Sequence, residues 1–93
     1  MHNVKVVVKD DTFSSSYYFY FDGKEGLWCE NFKDDAESAM IVLDKLNIPF
    51  TTYEAFFIHE DEEGYDEYDY DFPEDFDKFE GSVWKLVEIE RHY

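Results

Sequence analysis

Basic residues are scarce in this chain of 93 residues, which has eight lysines and arginines against 24 aspartates and glutamates. Contacts to nucleic-acid phosphates need lysine and arginine, so direct binding to DNA or RNA is not expected. The formal net charge of −16 would likewise be repelled by an anionic lipid surface. The charge balance thus excludes two large classes of partner and favours a basic protein surface.

Cysteine is almost absent as well, since Cys29 is the only one. An intrachain disulfide is therefore impossible, which fits a reducing compartment. The three histidines are too few and too scattered around this thiol to suggest a zinc site. No apolar run exceeds five residues, and the first residues lack the pattern of a signal peptide. We therefore expect a soluble, cytoplasmic protein that does not bind a membrane.

Sequence motifs of common catalytic sites are also missing. There is no phosphate-binding glycine loop, no G-x-S-x-G and no H-E-x-x-H. The best calcium-loop register starts at Glu67 and fails, because Phe72 stands where glycine is needed and Lys78 where a bidentate glutamate belongs. We therefore expect no enzyme activity, no cofactor and no metal.

One domain over residues 1–93 is all that this length allows, and twenty aromatic side chains supply its core. Asp22–Gly26, with two glycines, predicts a longer hairpin loop that leads to a return strand at Leu27–Glu30, and Ser14–Ser16 predicts a polar connection. Further strands are predicted where β-branched or aromatic residues concentrate, at Val4–Lys9, Tyr17–Phe21, Thr51–His59 and Ser82–Glu90.

A single helix is predicted after the hairpin. Asn31 can cap its N-terminus, Asn47 can adopt the left-handed conformation that ends a helix, and Pro49 prevents its continuation. Strands before and after one helix predict the α+β class, with a small antiparallel sheet packed on one main helix. Apolar residues at helical spacing define the face toward the core: Ala36, Ala39, Met40, Leu43 and Leu46.

The densest feature of the chain is the acidic segment, residues 60–80, with the sequence EDEEGYDEYDYDFPEDFDKFE. It holds twelve acidic residues and one lysine, a formal −11 of the chain's −16. Six aromatic residues interleave with the acids and an apolar strand follows, so we prefer an ordered surface to a disordered loop. Alternation predicts a short strand or extended arm at Tyr68–Phe72, and Pro73 would begin a short helix that Gly81 ends.

The acidic segment is the predicted site of partner binding. Its carboxylates would pair with basic side chains, while its tyrosines would either stack on arginines or anchor the segment to its own core. Duplex DNA carries a charge about every 1.7 Å and same-face strand residues are about 6.6 Å apart, so Asp10, Asp11, Glu88 or Glu90 would have to contribute. The residues expected to contact the partner are Glu60, Asp61, Glu62, Glu63, Tyr65, Asp66, Glu67, Tyr68, Asp69, Tyr70, Asp71, Glu74, Asp75 and Asp77.

In its size, charge and aromatic content the chain resembles the small acidic DNA-mimic inhibitors of phages and plasmids, which include anti-CRISPR and anti-restriction proteins. The resemblance rests on composition over the whole chain and on no shared motif. It implies an inhibitor of the basic nucleic-acid-binding surface of a host defence protein, such as a Cas effector or a restriction complex. The main alternative is an immunity protein or antitoxin that neutralises a basic toxin such as a nuclease, and a third is an acidic adaptor.

Overall fold

The structure, a computed structural model, describes residues 3–10, 15–30 and 33–90. Within these residues, a five-stranded sheet and one α-helix confirm the α+β class. The elements follow in the order β1 (Val4–Asp10), β2 (Ser15–Phe21), β3 (Lys24–Glu30), α1 (Lys33–Lys45), β4 (Phe50–Phe57), two short 3₁₀ helices (Glu67–Asp69 and Phe76–Phe79) and β5 (Trp84–Ile89).

The sheet has the strand order β3-β2-β1-β4-β5 and is mixed, so the prediction of an antiparallel sheet was wrong. β1 lies parallel to β4, whereas the other neighbouring strands are antiparallel. The chain passes through α1 between β3 and β4, and a crossover of this kind can return a strand in the same direction. β4 ends at Phe57, two residues before the predicted end at His59.

The β2–β3 hairpin is tighter than its two glycines predict. Its turn is Asp22-Gly23 alone, with φ of 53° and 88°, as in a two-residue type I′ turn. Gly26 instead lies inside β3, where the pairing with β2 shifts by one residue. A Cβ at Gly26 would lie 2.6 Å from Cδ2 of Phe21, so a side chain does not fit. Of the predicted connection Ser14–Ser16, the last two residues pair with β1, and Ser14 lies outside the described residues.

The predicted core-facing side of α1 is confirmed in part. Leu46 is 63% exposed, because α1 ends at Lys45 and the chain then turns away. Asn47 has the predicted left-handed conformation with φ of 57°, and the Ile48 N–H donates to the Leu43 carbonyl across this turn at 2.9 Å. The predicted cap Asn31 lies outside the described residues. The predicted residues that are fully or partly buried are Ala36, Ala39, Met40 and Leu43.

Side chains from both faces of the sheet are buried, in two separate clusters. Alternate residues of β1 divide between the clusters, as the two-residue period of a strand requires. The helix-side cluster contains Val4, Val6, Val8, Tyr17, Phe19, Ala36, Met40, Leu43 and Phe50. The segment-side cluster contains Val7, Tyr20, Ala55, Phe57, Phe72, Phe79 and Trp84. Phe72 and Phe79 belong to the acidic segment, which therefore helps to cover the second face.

Candidate acidic protein-binding surface

The acidic segment connects β4 to β5 with little regular structure. The alternation at Tyr68–Phe72 predicted a strand or an extended arm, and the strand is not formed. The chain makes one 3₁₀ turn at Glu67–Asp69 and then continues irregularly. Pro73 was predicted to begin a short helix, but the second 3₁₀ helix begins three residues later and covers Phe76–Phe79. Of the alternating rings, Tyr70 and Phe72 pack toward the sheet between charges, without a neighbouring strand to pair with.

Aromatic rings hold the acidic segment against the sheet. The ring of Phe72 lies 4.8 Å from Trp84 and 5.3 Å from Phe79, measured between centroids. Phe76 and Phe79 both approach Tyr20 edge-on, at 5.6 Å and 5.7 Å. Buried rings of this size dominate the energetics of a small core. The segment is thus anchored by the same residues that interleave with its charges.

Backbone hydrogen bonds attach the acidic segment to the β2–β3 hairpin. The Phe76 N–H donates to the Gly23 carbonyl at 2.8 Å, and the Glu25 N–H donates to the Glu74 carbonyl at 2.9 Å. On the hairpin these bonds involve the second turn residue and the second residue of β3, on either side of Lys24. They satisfy main-chain groups that a helix or a sheet would otherwise satisfy.

The Tyr20 hydroxyl adds a third attachment. It donates to the Pro73 carbonyl at 2.7 Å, although the ring of Tyr20 belongs to β2. The Tyr20 side chain is fully buried, and this burial raises the pKa of its hydroxyl, with a smaller contribution from the charge of Glu25. The hydroxyl therefore stays protonated and remains a donor across the neutral and mildly alkaline range.

Ten of the twelve carboxylates in the acidic segment are exposed, and the other two, Glu67 and Asp75, are partly exposed. The ten exposed carboxylates face solvent, while four rings of the segment pack toward the sheet: Tyr70, Phe72, Phe76 and Phe79. The carboxylate Oε2 of Glu62 lies 2.5 Å from Nδ1 of His59, the second residue after the end of β4. The exposed residues are Glu60, Asp61, Glu62, Glu63, Asp66, Asp69, Asp71, Glu74, Asp77 and Glu80.

Asp75 is a predicted site residue that the fold itself uses. Its carboxylate lies 2.5 Å from Nζ of Lys24 and 3.8 Å from Nζ of Lys78. The hydrogen bond from Lys24 is the main reason that the pKa of Asp75 lies below its ordinary value, and it raises the pKa of Lys24 in return. Asp75 therefore fastens the segment to β3 and is less available to a partner than its exposed neighbours.

Glu25 is an acidic residue of this surface that the sequence analysis missed. It lies in β3 and is partly buried, and burial is the main reason that its pKa is raised. The charges of Glu74 and Asp71, both in the acidic segment, add to this increase. The tight turn at Asp22-Gly23 brings β3 close to the segment, and no local sequence pattern signals that approach.

The three predicted tyrosines do not share one role. Tyr70 packs on Phe57 with 5.6 Å between ring centroids, so it anchors the acidic segment to β4. Tyr65 is 44% exposed and stacks on His59 at 4.0 Å, which leaves it accessible to a partner. The side chain of Tyr68 lies outside the described part of the chain.

Acidic residues from other elements were expected to extend the charged surface. Glu88 is exposed and pairs with Tyr53 across β5 and β4, so both lie on the segment-side face. The pKa of Tyr53 is raised, mainly by burial and then by the charge of Glu88. Glu90 is exposed just after β5, whereas Asp11 and the Asp10 side chain lie outside the described residues.

Neither a metal site nor a membrane-spanning helix is found in the described part of the chain. Among residues 3–10, 15–30 and 33–90, no three carboxylate, imidazole or thiol groups come together so that they could hold a metal ion. Within the same ranges, no helix is both long and apolar enough to cross a membrane. Comparison with protein-family models, with curated proteins and with solved structures finds no match for this chain.

Proposed function

We propose that this protein is an inhibitor that imitates nucleic acid and occupies the basic nucleic-acid-binding surface of a host defence protein. A Cas effector or a restriction complex is the class of target that we favour. The observation that carries the proposal is the acidic segment, four of whose rings are packed against the sheet while ten of its twelve carboxylates are exposed. A surface of this charge attracts lysines and arginines that would otherwise contact phosphates.

The attachment of the acidic segment supports this proposal. An interface that is already held in place loses less conformational freedom on binding than a disordered tail does. Here the Tyr20 hydroxyl and the main chain of Glu25 fix the middle of the segment. In this proposal the sheet, packed on one main helix at its back, is the frame that presents the carboxylates in the host cytoplasm.

The density of charge also agrees better with the proposal once neighbouring elements are included. A row of alternate strand residues, at about 6.6 Å, is too sparse to match a duplex with a charge about every 1.7 Å. Glu25 lies near Glu74 and Asp71, and Glu88 lies on the same face of the sheet. Carboxylates from several elements therefore bring the spacing closer to that of phosphates.

Tyr65 favours a second candidate function. An immunity protein or antitoxin would bind a basic toxin through shape-specific aromatic anchors, and Tyr65 is half-exposed and held by stacking on His59. The two functions differ in their salt dependence. A complex made mainly by exposed charges weakens as ionic strength rises, whereas one made by buried aromatic anchors changes little.

Competition tests the proposal directly. A pulldown from a host lysate identifies the partner, and the protein is then titrated into a preformed complex of that partner with labelled DNA. We expect release of the DNA, because both ligands need the same basic side chains. A stable ternary complex would rule out site competition.

A variant in which four carboxylates of the acidic segment become amides tests whether the partner binds this segment. We expect it to fold, as circular dichroism can check, and to bind the partner at least about tenfold more weakly, since each rim charge pair contributes up to about 1 kcal/mol. An equal loss in the control would mean that only total charge matters. The test variant is Asp66→Asn, Glu67→Gln, Asp69→Asn and Asp71→Asn. The control, which removes four charges elsewhere, is Asp34→Asn, Glu37→Gln, Asp44→Asn and Glu54→Gln.

A further inference from the structure

An open groove runs between the second 3₁₀ helix and β5, on the segment side of the sheet. Its volume is about 630 Å³, which lies in the range of small-ligand pockets, roughly 300–1,000 Å³. Aromatic and aliphatic side chains make up much of its lining, chiefly Tyr53, Phe76, Phe79, Trp84 and Leu86. The groove therefore has the walls to take an apolar stem or a flat, weakly hydrated group.

The charges along this groove are mostly negative. Asp77 and Glu80, which line it from the acidic segment, are both exposed. Glu88 lies two residues beyond Leu86, on the same face of β5. Among residues 3–10, 15–30 and 33–90, Lys85 is the only base that lines the groove. An occupant with a positive group would thus meet two carboxylates at the edge of an aromatic pocket.

The rings of this groove already interact with cations inside the protein. Nζ of Lys5 lies 4.1 Å from the ring centroid of Phe76, and Nζ of Lys9 lies 5.0 Å from that of Trp84. Both distances are typical of attraction between a cation and an aromatic ring. Neither of these two lysines lines the groove.

Trp84 also has an unsatisfied polar group. Its side chain is 3% exposed, and its indole N–H has no acceptor among the described residues. Most buried polar groups have a partner, so this N–H is an exception. The nitrogen atom is itself buried, so an acceptor such as a peptide carbonyl reaches it only when the side chains around the groove shift.

We propose that this groove binds an arginine-bearing extended segment of the partner protein, with the guanidinium against the aromatic walls and paired with Asp77 and Glu80. Arginine fits better than lysine because its planar group is weakly hydrated, stacks on rings and pairs with carboxylates through two hydrogen bonds. The basic character of the partner rests on the proposed function. The groove and its charges do not.

The first test uses a probe and the free protein. The probe is the acetylated and amidated peptide Gly-Arg-Gly, and its matched control carries neutral citrulline in place of arginine. We follow the indole N–H resonance of Trp84 by nuclear magnetic resonance, and Trp28→Phe distinguishes it from the other tryptophan. We expect a saturable shift with the arginine peptide and at least about fivefold weaker binding of the citrulline peptide. No shift, or equal shifts with both peptides, would overturn the proposal.

Matched variants test whether the peptide binds in the groove or responds only to the net negative charge of the protein. Asp77→Asn with Glu80→Gln should weaken peptide binding about tenfold. Glu37→Gln with Asp44→Asn removes the same charge from α1, on the other face of the sheet, and should leave it within about twofold. Lys85→Gln should strengthen it about two- to threefold. Equal losses in both double variants would show that the peptide responds only to net charge, against the proposal.

The same variants distinguish failure of the groove from failure of the proposed function. If the peptide binds the groove but partner and DNA form a stable ternary complex with the protein, the proposed function fails and the groove proposal stands. If DNA is displaced equally well by the Asp77→Asn, Glu80→Gln variant, the mimic stands and the groove is not part of it.

Discussion

The two faces of the sheet are covered in opposite ways. On the helix side, the 13 residues of α1 satisfy most of their own backbone hydrogen bonds and bring Ala36, Met40 and Leu43 into the core. On the segment side, the acidic segment has 21 residues, of which only seven lie in 3₁₀ helices. That segment depends on buried rings and on hydrogen bonds to the β2–β3 hairpin.

This difference explains how so many carboxylates can be carried in one place. A regular helix would bring like charges together at three- and four-residue spacing, which destabilises it. An irregular chain can turn each ring inward and each carboxylate outward without that constraint. Its order then comes from tertiary contacts rather than from local structure. We therefore expect the acidic segment to unfold locally at a lower free-energy cost than α1.

Phe72→Ala should have the largest effect, and it should destabilise the segment side more than the helix side. Phe72 is buried against Trp84 and Phe79, and loss of such a ring costs about 3–5 kcal/mol in the free energy of unfolding. Hydrogen exchange should show residues 60–80 losing protection while α1 keeps more of it. Met40→Ala, the helix-side control, should cost about 2–5 kcal/mol and reduce protection throughout. Intact protection of residues 60–80 in Phe72→Ala would contradict an anchoring role for the ring.

Tyr20→Phe should weaken the attachment of the segment by a smaller amount. The substitution removes the hydrogen bond to the Pro73 carbonyl and keeps the ring, so we expect a loss of about 1 kcal/mol in urea unfolding. Tyr53→Phe is the control, because it removes the hydroxyl of a second, partly buried tyrosine on the same face of the sheet, and it should stay within about 0.5 kcal/mol. Similar losses in the two variants would mean that the hydroxyl bond adds nothing.

The helix side could be predicted from the sequence more fully than the segment side. The face of α1 and the left-handed Asn47 follow from local spacing and turn chemistry. The parallel pairing of β1 with β4 joins residues more than forty apart, which no local pattern encodes. Gly26 was taken for a loop residue because two nearby glycines suggest a long turn, whereas it permits a shift in strand pairing.

On the segment side, the sequence identified the residues but not the contacts. Interleaved rings and charges predicted an ordered surface, and the rings do pack on the sheet. No local sequence pattern indicates that Asp75 pairs with Lys24, or that Glu25 lies close to Glu74. Both contacts depend on how closely the hairpin approaches the segment. Roles assigned by charge alone therefore mix residues that hold the fold with residues that remain free for a partner.

Two carboxylates where the acidic segment meets the β2–β3 hairpin, those of Asp75 and Glu25, should change the stability of the protein with pH in opposite directions. The pKa of Asp75 lies below its ordinary 3.8, so the stability it contributes is present above that pH and is lost as pH falls through the folded-state pKa. The pKa of Glu25 lies above its ordinary 4.5, so its ionisation lowers stability as pH rises from 4.5 through the folded-state value.

Two variants test these opposite signs by urea unfolding from about pH 2 to pH 7. Asp75→Asn should flatten the loss of stability on the acid side, because the variant has no carboxylate to protonate. Glu25→Gln should be more stable than the unmodified protein at neutral pH, because it removes an ionised group that burial disfavours. Both effects are modest, since both carboxylates are partly exposed and solvent screens them. Changes of the same sign would contradict the assignment.

Salt should have the smallest effect and should again distinguish the two sides. The exposed carboxylates of the acidic segment repel one another, and about 1 M salt shortens the screening length to about 3 Å, so the unfolding midpoint should rise slightly. Neutralising Glu60, Asp61 and Glu63 should raise the midpoint at low salt, and the gain should vanish at high salt. Glu37 and Asp44 of α1 each have an interaction of their own, so neutralising them should bring no such gain. An equal gain from α1 would mean that the repulsion is spread over the whole molecule rather than concentrated on the segment side.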